Sequence, residues 1–223
     1  MPNQRFRLHH FLGGLSLTLA SLAAQADFAS DITVKLLAPG GFPFDSTPIE
    51  LSQTVIVANL ADGVLAQNLG GGGDISAFML DNERVSFVGN VIHIRAGVGD
   101  STGGIWTTGY LGSGGSAARY EISGLTITGQ AITGFAVYAF DGYTTSGTTG
   151  LLSPADPNGL VQLTGGNTVS FNLDSLVFAH RGGESDSYGE FRIDLLTTPV
   201  PEPATWLLLA GGLVLLRRRA HTP

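Results

Sequence analysis

The sequence predicts an all-β domain: a two-layer antiparallel β-sandwich, jelly-roll-like, flanked by an N-terminal signal peptide and a short C-terminal hydrophobic helix. Three observations lead there. Thirty-two glycines punctuate the middle of the chain, where strong helix formers are few. Between the glycines lie short runs in which apolar and polar residues alternate, the period-two pattern of a strand with one buried face. No periodic repeat is present, which sets aside solenoids and propellers. About ten short, mostly antiparallel strands in one domain favour a sandwich. A partly closed barrel is the alternative arrangement.

The elements follow in order. Ile32 to Leu37 reads as a first strand, ended by Pro39-Gly40-Gly41. Leu51 to Leu60 reads as a second, with Val55 and Val57 alternating against Ile56. Asn68 to Asp74 contains four consecutive glycines and reads as a connection, and Ile75 to Leu80 as a short apolar strand. Arg84 to Arg95 is the clearest local structure, a hairpin around the two-residue loop Gly89-Asn90. That turn sets Phe87 opposite Ile92 and Val85 opposite Ile94 on a dry face. Ser86 opposite His93 and Arg84 opposite Arg95 fall on a wet one. A second hairpin is expected over Tyr120 to Phe140, around Gly129-Gln130, with Ile127 opposite Ile132. Further out, Ile122 falls opposite Val137 on the other parity, where Phe135 also lies. The parity change beside Gly124 and Gly134 predicts a bulge, or a strand bending from one sheet into the next. The remaining strands are Leu160 to Leu163, Val169 to Leu173, Leu176 to Ala179 and Glu190 to Leu196. The last turns Phe191, Ile193 and Leu195 inward and Glu190, Arg192 and Asp194 outward.

Charge bounds the partners. Residues 27–203 carry all 18 acidic and 6 of the 11 basic residues, a net charge of −12. That balance argues against nucleic acid or anionic lipid, both of which reward basic patches. The chain has no cysteine, so disulfides, thiolate catalysis and Cys-ligated zinc or iron–sulfur are excluded together.

Signals for chemistry are sparse. Gly99-Asp100-Ser101-Thr102-Gly103 matches the G-x-S-x-G pattern of a hydrolase nucleophile elbow. That motif requires a strand-to-helix turn, and Gly104-Ile105-Trp106-Thr107-Thr108 does not read as helix. His93 reads as a surface residue, and His180 adjoins a glycine-rich loop. Neither has a partner at metal-ligand spacing. Asp174, Glu184 and Asp186, with Glu190 nearby, form a weak calcium candidate on sandwich loops. A solvated acidic loop is the favoured alternative, because no EF-hand spacing is present. No other cofactor is indicated. Trp106, Tyr110, Tyr138 and Tyr143 are candidates for a carbohydrate-stacking surface, with loop packing as the equal alternative. The tract Thr144 to Thr149 is a candidate for O-linked sugars. An acid–base pair of carboxylates must be close in space rather than in sequence, so sequence does not identify one. No catalytic residue is assigned.

The two ends are more legible. Residues 1–26 read as a secretory signal peptide: Arg5 and Arg7, an apolar run from Phe11 to Leu22, and a small-x-small cleavage site at Ala24-Gln25-Ala26. The domain then occupies residues 27–198. Residues 199–220 hold Pro201-Glu202-Pro203, Trp206, the apolar run Leu207 to Leu216, and Arg217-Arg218-Arg219. The uncharged stretch from Ala204 makes roughly 20 Å of helix, short of the roughly 30 Å bilayer core. Trp206 suits one interface, and the arginines hold the other end in the cytoplasm. Such a helix is a marginal anchor, better suited to a transient hold than to permanent residence.

This tripartite tail resembles the C-terminal sorting signal of PEP-CTERM proteins, exported by Gram-negative bacteria that make exopolysaccharide. The resemblance implies recognition and removal of the tail by an exosortase-type membrane protease. It implies passage across the inner membrane, a transient anchor there, and then a cell-surface or extracellular location. The expected role is non-catalytic, in association with extracellular polysaccharide and biofilm. A secreted carbohydrate-binding or carbohydrate-active protein on the same sandwich is the alternative.

Overall fold

A computed structural model describes residues 27–65, 83–97, 99–102, 104–141, 150–179 and 188–200. The strands are β1 (Ile32–Ala38), β2 (Ile49–Val55), β3 (Val64–Leu65), β4 (Arg84–Val88), β5 (Val91–Gly97), β6 (Asp100–Thr102) and β7 (Ile105–Thr107). They continue with β8 (Arg119–Ser123), β9 (Gln130–Asp141), β10 (Leu151–Ser153), β11 (Val161–Thr164), β12 (Thr168–Asn172), β13 (Val177–Ala179) and β14 (Tyr188–Pro199). The only helical turns among the described residues are 3-10 turns at Val57–Asn59 and Pro157–Leu160. The protein is all-β, and every strand pair is antiparallel. The expected signal peptide, Ile75–Leu80 strand and C-terminal helix lie outside the described residues.

Hydrogen bonding divides the strands into three sheets, ordered β11-β12-β8-β1-β2, β3-β4-β5-β14-β9 and, smaller, β10-β13-β7-β6. All three contribute to one core, an arrangement consistent with a sandwich. In β1 the alternation is read directly: Ile32, Val34, Leu36 and Ala38 are buried, and the residues between them are half-buried. A chain of aromatic rings joins the sheets. Trp106 stacks on Phe178 at 4.0 Å within the small sheet. Phe178 meets the edge of Phe191 at 6.1 Å, and Phe191 meets Phe171 at 4.9 Å. Phe171 lies beside Tyr120 at 6.5 Å in the β1-containing sheet. Burying each such ring stabilises the fold by about 1.5–3 kcal/mol, with roughly 0.5–1.5 kcal/mol more for a well-oriented pair.

The β4–β5 hairpin has the register expected from its turn: Phe87 opposite Ile92, Val85 opposite Ile94, Ser86 opposite His93 and Arg84 opposite Arg95. Gly89 takes φ +63°, which an L side chain resists. β14 also alternates as expected, with Phe191, Ile193 and Leu195 buried.

Three expectations are corrected. The second strand ends at Val55, because the Asp31 carboxylate accepts a hydrogen bond from the Val57 N–H at 3.0 Å and the chain turns there. Ile56 and Val57 are consequently exposed. Leu160 closes a 3-10 turn instead of opening a strand, after Asp156 caps that turn through the Asn158 N–H. Finally, β8 and β9 are not a hairpin. Gly124, at φ +83°, sends the chain from one sheet to the other. Ile122 then pairs with Val34 and Val169, while Val137 pairs with Ile193. The glycine parity change had both roles it predicts, since the β9–β14 register also shifts beside Gly134.

Both ends of the domain dock on the same turn. Ala29 N–H donates to Thr126 O at 2.9 Å, and Val200 N–H donates to Gly129 O at 3.0 Å.

Candidate functional site

Two rows of side chains cross the outer face of the β4-β5-β14-β9 sheet. Pairing aligns Arg84, Arg95, Glu190 and Phe140 in one row, and Ser86, His93, Arg192 and Tyr138 in the next. Three inter-strand spacings make each row about 14 Å long. The strands turn these residues away from their alternate neighbours Val85, Ile94, Phe191 and Val137, which fill the core, and of the eight only Ser86 is itself buried, at 6% exposure. A shallow pocket of about 290 Å³ lies over both rows.

The face combines paired charges with exposed rings. Arg95 donates to Glu190 Oε1 from Nε at 3.0 Å and from Nη2 at 2.6 Å. Its guanidinium carbon lies 4.1 Å over the Tyr188 ring. Arg192 forks onto Asp194, Nε to Oδ1 at 2.6 Å and Nη2 to Oδ2 at 3.0 Å, and this hydrogen bonding holds its pKa above the usual guanidinium value. The same guanidinium stands 5.9 Å from the Tyr138 ring centre. Arg84 faces Arg95 directly, a repulsive placement relieved by Glu190 on one side and by the Arg84 Nη2 bond to Ala61 O at 2.9 Å on the other. Tyr138 and Phe140 are about half exposed, at 48% and 53%, unlike the core aromatics. Three of the six basic residues of the domain stand on this one face.

A second groove of about 600 Å³ crosses the outer face of β11, β12 and β8. Arg119, Glu121, Gln162, Ser170 and Asn172 line it, with no aromatic ring among its described lining residues. Arg119 is already engaged by Glu121 at 3.4 Å, so this groove offers hydrogen bonds without a stacking surface.

The sequence-predicted residues divide among these places. His93 and Tyr138 belong to the β4-β5-β14-β9 face, and Glu190 is bound there to Arg95. Trp106 and Tyr110 are not surface stackers: each is 1% exposed and forms part of the core. Trp106 is buried under Phe178, and the Tyr110 hydroxyl donates to the buried Glu83 carboxylate at 2.7 Å. The G-x-S-x-G residues Asp100 to Thr102 form β6, paired in a hairpin with β7, so no strand-to-helix elbow forms there. Asp174 lies in the turn after β12, its Oδ2 packed against Gly112. The other calcium candidates, Glu184 and Asp186, lie outside the described residues, as do His180, Tyr143 and Thr144–Thr149. Among the described residues no three His, Asp or Glu side chains gather as a metal site. The cleavage residues Ala24 and Ala26 and the whole tail, from Pro201, Glu202 and Pro203 through Trp206, Leu207 and Leu216 to Arg217, Arg218 and Arg219, also lie outside them. No helix among the described residues is long and apolar enough to cross a membrane. Phe140 went unnoticed in the sequence, although alternation from Tyr138 places it on the same face.

Fold and face together define an antiparallel all-β protein with an aromatic and ion-paired sheet surface. Compared with protein-family models, curated proteins and solved structures, the chain matches none.

Proposed function

We propose that the chain is an exported, non-catalytic surface or matrix protein, associated with extracellular polysaccharide and biofilm. In this reading an exosortase-type membrane protease removes the tail after a transient stay in the inner membrane. The domain is then a two-layer, jelly-roll-like sandwich delivered to the cell surface or beyond. The observation that carries the proposal is the order Pro201-Glu202-Pro203, apolar run, Arg217-Arg218-Arg219 behind a secretory N-terminus.

The alternative is a secreted carbohydrate-binding or carbohydrate-active protein. The half-exposed Tyr138 and Phe140 favour its binding form. Its catalytic form gains less, because Glu190 is the one carboxylate on the described pocket lining and Arg95 holds it, whereas the usual glycosidic cleavage needs two.

The test is expression in a host that has the sorting protease, with Pro201-Glu202-Pro203 intact or changed to alanines. The intact chain is expected to lose its tail and leave the membrane, and the altered chain to stay. A surface protein that still carries Trp206 and the three arginines would overturn the proposal.

A further inference from the structure

We infer that the outer face of β4-β5-β14-β9 is a carbohydrate-binding platform for a neutral pyranose chain, stacked on Tyr138 and Phe140. This deepens the reading of the protein as polysaccharide-associated and rests on it. Tyr138 and Phe140 are two residues apart on one strand, so their rings project from the same side roughly 7 Å apart. Both are half exposed, and charged forks flank them instead of further apolar side chains. A protein partner would need a contiguous apolar patch extending well beyond two rings, and here charged side chains of β14 border the pair. A pyranose has the matching character, with an apolar C–H face for the ring and a rim of hydroxyls that both donate and accept.

The flanking groups supply both halves of that hydrogen bonding. Glu190 and Asp194 accept, while Arg95 and Arg192 donate. Their mutual pairing at 2.6 Å fixes each fork before a ligand arrives, which lowers the ordering cost of binding. The charge balance selects a neutral chain. Two of the three arginines on the face are neutralised by carboxylates and residues 27–203 carry −12 overall, so little positive charge is left to hold a polyanion against an acidic surround. The same argument disfavours a single-stranded nucleic acid, which needs a cationic track beside its stacking rings.

The experiment uses the protein recovered from culture, in whichever form export leaves it. Isothermal titration is run with cellohexaose, mannohexaose, chitohexaose and hexagalacturonate. At least one neutral hexasaccharide is expected to bind, and Tyr138→Ala and Phe140→Ala are each expected to weaken it about tenfold. Arg192→Lys keeps the charge but loses the fork, and is expected to weaken binding while leaving the melting temperature in place. The inference is overturned if no neutral hexasaccharide binds, if hexagalacturonate binds better than all three, or if the Tyr138→Ala/Phe140→Ala double variant binds like the wild type. Its failure is separable from that of the sorting proposal. Tail removal without sugar binding sinks only this inference, and sugar binding by a protein that keeps its tail sinks only the other.

Discussion

Glu83 is a carboxylate placed inside the core, and two tyrosines make that position tenable. The Tyr110 hydroxyl donates to its Oε2 at 2.7 Å, and all three residues are buried. Tyr110→Phe is expected to cost about 1.5–3 kcal/mol, the range for a hydrogen bond to a charged group, measured as a lower urea midpoint. Burial first, and then the charge of Glu83, pushes the Tyr120 hydroxyl well above its ordinary value near 10. The folded state therefore favours protonated Tyr120. Its contribution is fully present below the unfolded tyrosine pKa and is lost as pH rises above it toward the folded value. Wild-type stability is expected to fall above about pH 10, and more steeply than that of Tyr120→Phe, when urea midpoints are compared at pH 8 and pH 11. Gly189 makes a different kind of demand. A Cβ there would lie 2.4 Å from Phe178 Cζ, against the ring that supports Trp106.

Elements differ in how much of their fate is local. The β4–β5 hairpin was legible because its turn and its alternation specify the same register, and Gly89→Ala tests the turn directly. Space is open at Gly89, with only Asp27 Oδ1 at 4.0 Å, so the cost arises from φ +63° alone. A loss of about 1 kcal/mol is expected in thermal or urea unfolding. Tyr120 to Phe140 misled for the complementary reason. Its glycine turn is real, and Gln130 N–H does bond back to Ile127 O at 3.1 Å. The strands on either side nevertheless find better partners far along the chain: β8 pairs with β1 and β12, and β9 with β14. Non-local pairing of this kind leaves no mark on the strand it recruits. The candidate face was half readable for the same reason. Alternation placed Arg84, His93, Arg95, Glu190 and Arg192 outward, but only the β5–β14 and β14–β9 pairings gather them beside Tyr138 and Phe140. The long edge of β9 shows how the fold protects itself: the Asn158 side chain accepts from Val137 N–H at 3.0 Å and occupies a backbone donor that another chain would use.

For the molecule as a whole, the ring chain from Trp106 to Tyr120 makes three hydrogen-bonded sheets share one core. Phe191 is its middle link, touching Phe178 on one side and Phe171 on the other. Phe191→Ala is expected to cost about 3–5 kcal/mol. In a Trp206→Phe background, Trp106 fluorescence and far-ultraviolet dichroism are expected to report one shared transition. An earlier fluorescence change would mean that the small sheet melts by itself. The docking of residues 29 and 200 on a single turn has a mechanical consequence. In the proposed anchored state, tension from the membrane enters the domain at residue 200, just past the end of β14. That strand has a neighbour on each flank, with pairing from Gly189 to Pro199 on the β9 side. Load applied along it is shared in shear by many bonds at once, so a domain held by the proposed tail anchor would resist being drawn out through it.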